Sequence, residues 1–426
     1  MSLATRLGLS RPELRAWAMY DWANSAYFTI VITTLFPIYF SKVAAAHLAP
    51  EVASARFTLI TTIAMTIAAL LGPILGALAD VRPWKKALLA GFTALGVATT
   101  FGLYFVGQGD WKLGALLFIL GNVGIMAAQV FYDALLPHVA APDEVDRVST
   151  AGYALGYLGG GLLLLVDLAL ILKPTTFGLP DKVAAMRVAF LTVGVWWLVF
   201  SLPLLRRVRE PAVRPAPTRH LLRTTFAQLG HTLRELRRFR QAWLFLLAFL
   251  VYNDGIGTII RLATTYATSI GIPFDAQIPA IVIIQFVGIP CSFLFGAVAG
   301  KIGARAAIFI GLAVYVLTSV LGYFMSSVLH FYLLAGMVGL VQGGVQALSR
   351  SLFSRMIPAE RSGEFFGLFS VFEKFAGILG PLVFWLAIET TGSSRSAILS
   401  IVVFFVLGGA LLARVDVRAG EAAARA

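Results

Sequence analysis

Apolar positions along this chain come in long blocks separated by short polar turns. The blocks are long enough to cross a bilayer, which takes about 20 residues rising 1.5 Å each. The pattern predicts twelve membrane helices, over residues 16–41, 55–79, 86–107, 111–138, 148–172, 183–205, 242–269, 276–300, 306–326, 329–357, 364–388 and 396–413. The expected fold class is therefore an all-α membrane protein. The connections are too short for a folded extramembrane domain, so function is expected inside the membrane part.

Polar residues interrupt four of these blocks at helical spacing. In the first, Tyr20, Asn24, Tyr27 and Val31 share a face, with Asp21 beside it. In the fourth, Asn122, Met126, Gln129 and Asp133 form a stripe. The seventh carries Asn253 and Asp254, with Arg261 two turns on, and the tenth carries Gln342, Gln346 and Arg350. Polar groups are costly in lipid, so four such stripes are expected to look into a shared cavity. The alternative for any single stripe is plain hydrogen bonding between helices. Tyr20, Asn24, Tyr27, Gln129, Asn253, Asp254, Arg261, Gln342 and Gln346 are the expected substrate contacts. Asp21, Asp133, Asp254 and Glu373 are the expected proton-coupling acids. Arg261, about 10 Å beyond Asp254 along its helix, is a fork for a substrate carboxylate or phosphate. Glu373 and Lys374, adjacent in sequence, are expected to find separate partners, and Asp167 is expected to form a salt bridge at the outer side.

Two stretches repeat. LLGPILGALADVRPWKK (70–86) aligns with the region ending the eighth block, placing Gly76 on Gly296, Ala77 on Ala297, Ala79 on Ala299, Lys85 on Arg305 and Gly91 on Gly311. Pro142 and Glu144 align with Pro358 and Glu360 at a similar offset. This reads as duplication of a six-helix unit, giving two pseudo-symmetric six-helix bundles, 1–205 and 242–426. Residues 206–241 join them: a Pro- and Arg-rich linker, then an amphipathic pattern from Leu222 that suits an anionic lipid surface. Gly72 and Gly76, and Gly152, Gly156 and Gly160, are spaced for close helix packing. Gly72-Pro73 and Gly380-Pro381 are expected to bend their helices. Asp80 and Arg82 in the first repeated turn, together with Lys374, are the gating candidates.

Composition agrees with a membrane protein, being 59% hydrophobic and 13% charged. The net charge of +13 arises because most of the 34 Lys and Arg fall on one side of the predicted spans. The positive-inside rule then puts both termini in the cytoplasm, and the chain is expected in a bacterial inner membrane without a cleaved signal peptide. A basic balance arranged this way signals topology and contact with anionic lipid, not nucleic acid. One cysteine, Cys291, excludes an internal disulfide, and the five histidines have no metal-ligand spacing. No metal, cofactor or enzymatic motif is expected.

GALADVRPWKK resembles the loop of the major facilitator superfamily, G-x-x-x-D-R-x-G-R-K/R. Gly76, Asp80 and Lys85 match, while Val81, Pro83 and Trp84 depart. YDWANSAYFTIVITTLFP, VFYDALLPHV, GYALGYLGGGLLLL and FLVYNDGIGTII together resemble its "unknown major facilitator" branch, which includes the fungal vacuolar amino-acid effluxer. The resemblance implies alternating access, a cavity lined by helices 1, 4, 7 and 10, a gate latch at Asp80 and an amino-acid-like substrate.

The expected function is a monomeric secondary transporter for a small zwitterionic or amphiphilic solute, coupled to protons or another ion. A lipid flippase or hydrophobic-drug exporter on the same fold is the runner-up, and would need a lateral opening and a largely apolar cavity. A non-transporting receptor or scaffold would have no reason to keep charges at mid-membrane depth.

Overall fold

The computed structural model describes residues 5, 7–81, 83–210, 239–273, 277–376 and 379–425. Among the described residues twelve helices are long and apolar enough to cross a membrane: α1 (Pro12–Ala44), α2 (Ala55–Asp80), α3 (Lys85–Leu103), α4 (Trp111–Val139), α5 (Val145–Leu172), α6 (Lys182–Arg207), α7 (Arg240–Ala263), α8 (Pro279–Ile302), α9 (Ala304–Tyr323), α10 (Val328–Arg355), α11 (Ala359–Thr391) and α12 (Ser394–Ala413). Each falls on a predicted block. A short α13 (Val417–Arg425) follows. The amphipathic segment from Leu222 lies, up to residue 238, outside the described residues, as does Arg82.

The helices gather into two bundles of six. Buried apolar side chains from Phe239 to Val415 form one core cluster, joined only by Ala134 from the other half, while two clusters run from Leu14 to Val208. Local chemistry sets several helix ends. The Asp181 side chain accepts from the Ala184 N–H at 2.7 Å and Ser327 accepts from His330 at 3.2 Å, each satisfying a donor that the first turn leaves unpaired.

Three described helices depart from regular α geometry, α12 by a break at Ile401 between Ser394–Ser400 and Val402–Ala413. α1 winds as a π-helix over Tyr27–Leu35 and Phe40–Ala44, where Thr33 and Thr34 hydroxyls donate to the Phe28 and Thr29 carbonyls five residues back. α11 is helical over Ser362–Phe375 and again over Leu379–Thr391; between them Ala376 is extended, at φ −62° and ψ 110°. Gly380-Pro381 thus sits at a restart, whereas Pro73 is carried inside continuous helix.

Glycines let the bundles meet. α2 crosses α11 so closely that a Cβ on Gly76 would lie 2.1 Å from the Gly363 carbonyl oxygen, and one on Gly72 3.1 Å from that of Gly367. α5 packs along α8 and α10. The described hydrogen bonds between bundles crowd toward the end that carries the chain termini. Ser149 and Ala347, Ser351 and Asp146, and Ser362 and Ala134 are all joined there. Gln285 to Thr29, at 2.8 Å, is the described bond nearest the opposite end.

Candidate functional site

At the centre of the closed end, the Arg350 side chain of α10 crosses from the second bundle into a polar pocket of the first. Nη2 donates to Asp21 Oδ2 of α1 at 3.2 Å and to the Ser149 carbonyl of α5 at 3.0 Å. Nη1 donates to Asp133 Oδ1 of α4 at 3.1 Å, and Nε to Ser149 Oγ at 2.9 Å. Three aromatic rings surround the guanidinium, with centroids 4.8 Å (Trp17), 5.4 Å (Tyr132) and 4.7 Å (Tyr153) from its carbon. Arg350 is 2% exposed, and the two aspartates 7% each. One guanidinium thus neutralises two buried carboxylates, and each charge has the partners burial demands.

The pocket is built by three helices of one bundle. Helical spacing sets Trp17 and Asp21 one turn apart on α1, while Tyr132 and Asp133 are consecutive on α4. Trp17 stacks on Tyr132 at 4.4 Å between centroids and donates its indole N–H to the Tyr132 carbonyl, and the Tyr132 hydroxyl donates to Asp21 at 2.8 Å. On α5, the glycines that predict close packing do so in register with α1: Cβ atoms at Gly152, Gly156 and Gly160 would lie 2.4 Å from Asp21 Oδ2, 2.5 Å from Ser25 Oγ and 2.9 Å from Thr29 Oγ1.

Above this pocket, away from the termini, the polar stripes continue. Asn24 donates to Gln129 at 3.1 Å, and Gln129 to Asp133 at 3.0 Å. In the other bundle Gln346 donates to Asn253 at 2.6 Å. Glu373 stands within electrostatic reach of Asp133. Its carboxylate lies 2.5 Å from Lys374 Nζ, correcting the expectation of separate partners: a lysine stem is long enough to turn back to its sequence neighbour.

A second interbundle contact flanks the first. Asp80, at the end of α2, accepts the backbone N–H groups of Gly363 at 3.1 Å and Glu364 at 2.7 Å, the first residues of the α11 helix. Its carboxylate also pairs with Lys85 at 2.6 Å, both side chains being 1% exposed. An acid at a helix N-terminus satisfies unpaired donors and opposes the positive end of the dipole. Beside it the His138 ring lies 3.2 Å from Ser362 Oγ, and Arg355 of α10 reaches Asp146 of α5 at 3.5 Å and Glu421 of α13 at 3.6 Å.

Comparison with known proteins decides what this architecture is. The family profile of vacuole effluxer Atg22-like proteins matches residues 9–425. The chain is 37% identical over 402 residues to an MFS-type transporter YxiO of Bacillus subtilis, covering 93% of each. It is 27% identical to Autophagy-related protein 22 of Yarrowia lipolytica, covering 80% of this chain and 72% of that protein. The chain belongs to the Atg22-like family. It is a multi-pass transporter of the major facilitator superfamily, not an enzyme. Solved structures share the fold: the transporter FucP in its outward conformation superposes with a TM-score of 0.71 at 12% identity, over 96% of this chain and 99% of that one. The proton:xylose symporter XylE does so at 0.69 and 13%, over 94% of each.

In this Atg22-like chain the predicted residues do not share one wall. Asp21, Asn24, Gln129 and Asp133 converge. Asn253 and Gln346 pair with each other, and Gln342 Oε1 is buried without a described hydrogen-bond partner. Tyr20 and Tyr27 turn into their own bundle instead, Tyr20 to Thr93 at 2.7 Å and Tyr27 against Trp197 with its centroid 5.2 Å away. On a helix packed against several neighbours, a polar face is not one surface: Tyr20 and Asn24, one turn apart, meet different helices. Asn122 donates to the Phe118 carbonyl of its own helix. Asp254 accepts the N–H groups of Leu379 (3.1 Å) and Gly380 (2.8 Å), capping the restart of α11. Arg261, exposed near the far end of α7, lies within reach of the Asp254 charge. Asp167 meets the Thr192 hydroxyl at 2.7 Å in place of the expected salt bridge, because α6 covers it.

Sequence reading missed Trp17, Tyr132, Ser149 and Tyr153, and left Arg350 on its stripe without a role. A buried arginine in a membrane helix needs acids, and those on the stripes of α1 and α4 were its available signal.

Proposed function

We propose that this chain is a secondary transporter working by alternating access, its two bundles rocking about a midplane site for a small zwitterionic, amino-acid-like solute. The observation that carries the reading is the Arg350–Asp21–Asp133 cluster, which ties the bundles together through charges on both sides. Rocking that opens the end carrying the termini must pull Arg350 out of the first bundle. Two buried carboxylates left together without a cation are strongly unfavourable, so each opening calls for a proton or another cation. This supports proton coupling at Asp21 and Asp133. Asp133 also faces Gln129 and Glu373, and Asp21 faces Tyr132 and Ser149-bound Arg350.

In this reading the termini are cytoplasmic, following the distribution of Lys and Arg, and the conformation described is closed inward. Asn24, Gln129, Asn253, Gln342 and Gln346 contribute substrate contacts, with Arg261 as a carboxylate fork. Asp80, charge-balanced by Lys85, is the latch that holds α2 on α11. The two bundles correspond to residues 1–205 and 242–426, and the protein works as a monomer in a bacterial inner membrane.

The test is flux in proteoliposomes with an imposed pH gradient, offered a panel of amino acids, peptides, sugars, drugs and lysolipids. Gradient-driven movement of a zwitterion, lost in Asp133→Asn, is the expected result. Movement of lysolipids or hydrophobic cations alone would replace this reading with a flippase or drug exporter.

A further inference from the structure

We infer that the pocket holding Arg350 is a binding site for a guanidinium-bearing substrate, which the protein's own arginine fills while the bundles are closed at the end carrying the termini. The inference rests on the alternating-access reading and names the class of solute that such a transporter would carry.

Ownership of the parts carries it. Trp17 and Asp21 of α1, Tyr132 and Asp133 of α4, and Ser149 and Tyr153 of α5 all belong to the first bundle; Arg350 alone comes from the second. Separation of the bundles removes the occupant and leaves the aromatic and carboxylate walls of its receptor assembled, because their internal contacts do not involve Arg350; the Ser149 hydroxyl is freed from the Ala347 carbonyl as well. Trp17 and Tyr132 keep their stacking and indole bond, Tyr132 keeps Asp21, and Gln129 keeps Asp133.

The chemistry of the receptor selects the class. Its acceptors are spread in a fork, with Asp133 for one terminal nitrogen, Asp21 and the Ser149 carbonyl for the other, and Ser149 Oγ for the inner N–H. A planar guanidinium meets all four at once, whereas a compact, strongly hydrated ammonium cannot span them. A proton alone would have no use for three aromatic faces, which favour a delocalised, weakly hydrated cation. Carboxylates that take either a proton or this cation, but not both, exchange one for the other. That is the logic of an antiporter.

Removing the internal occupant tests the site. Arg350→Ala is expected to melt at a lower temperature than the parent and to be restabilised by methylguanidine. The half-saturating concentration should be roughly tenfold lower than for methylammonium, the margin that extra charge-assisted hydrogen bonds supply. Adding Asp133→Asn should abolish the effect. Equal stabilisation by both cations, or none by methylguanidine, overturns the inference.

Proteoliposomes of the unsubstituted chain serve where Arg350→Ala does not fold: an imposed pH gradient should drive labelled agmatine in the direction opposite to the proton flow, and methylguanidine should compete. Flux of amino acids indifferent to agmatine overturns the guanidinium site and leaves the transporter reading standing. Absence of flux for every solute overturns both.

Discussion

Gly152 of α5 lies against Asp21 of α1, and a methyl group placed on it would come within 2.4 Å of the Asp21 carboxylate and 3.2 Å of Arg350 Nη2. The absence of a side chain at one position of α5 is therefore what lets an acid of α1 meet an arginine of α10.

Gly152→Ala must push Asp21 off Arg350 or move α5 away from α1. Overpacking of this kind costs about 1–3 kcal/mol. Transport is expected to fall at least tenfold, with a lower melting temperature in detergent. Equal melting curves and flux for Gly152→Ala and the parent would remove the packing role.

Asp80→Asn leaves the buried Lys85 ammonium without its counter-charge. Breaking such a pair from one side costs about 3–5 kcal/mol, much of it the penalty of the orphaned ion. Asp80→Asn/Lys85→Met should recover a large part of that loss, and a double-mutant cycle on unfolding measures it. Additive effects would mean that the two buried charges do not depend on each other.

At Asp254 two roles separate by substitution. Asn keeps an oxygen for the Gly380 N–H, so Asp254→Asn is expected to stay folded while losing proton-driven flux. Asp254→Ala removes the cap altogether and should cost about 1–2 kcal/mol. Flux for Asp254→Asn unchanged at every pH would leave Asp254 with the α11 cap alone.

Accessibility reports which end is shut. In a Cys291→Ser background, a membrane-impermeant thiol reagent should label Glu373→Cys, where the native side chain is 33% exposed. It should reach that site from the face opposite the termini only. Ser351→Cys, at a fully buried position bonded to Asp146, should resist labelling from both faces. Rapid labelling of Ser351→Cys from the termini side would contradict closure there.

Much of the fold was legible because the forces that set it are local. Runs of apolar residues must be helical to satisfy their backbone in lipid, so twelve blocks dictate twelve spans without knowledge of any contact. The spacing of Gly72 and Gly76, and of Gly152, Gly156 and Gly160, announced close crossings because a missing Cβ acts the same way whichever helix arrives. Asp21, Asn24, Gln129 and Asp133 were legible as a group, since a buried polar residue needs a partner wherever it sits.

Which partner each one meets was decided by the tertiary structure alone. Tyr20 and Asn24 lie one turn apart, yet one meets Thr93 and the other Gln129, because different helices cover successive turns of α1. Arg350 reaches Asp21 and Asp133 across more than half the chain, and no periodicity along α10 encodes that encounter. The sequence by itself determined the spans and the list of charges that could not remain alone. Only the packing of two bundles decided that one arginine of the second would settle both acids of the first, because pairing depends on distance in space and each helix pattern specifies only a face.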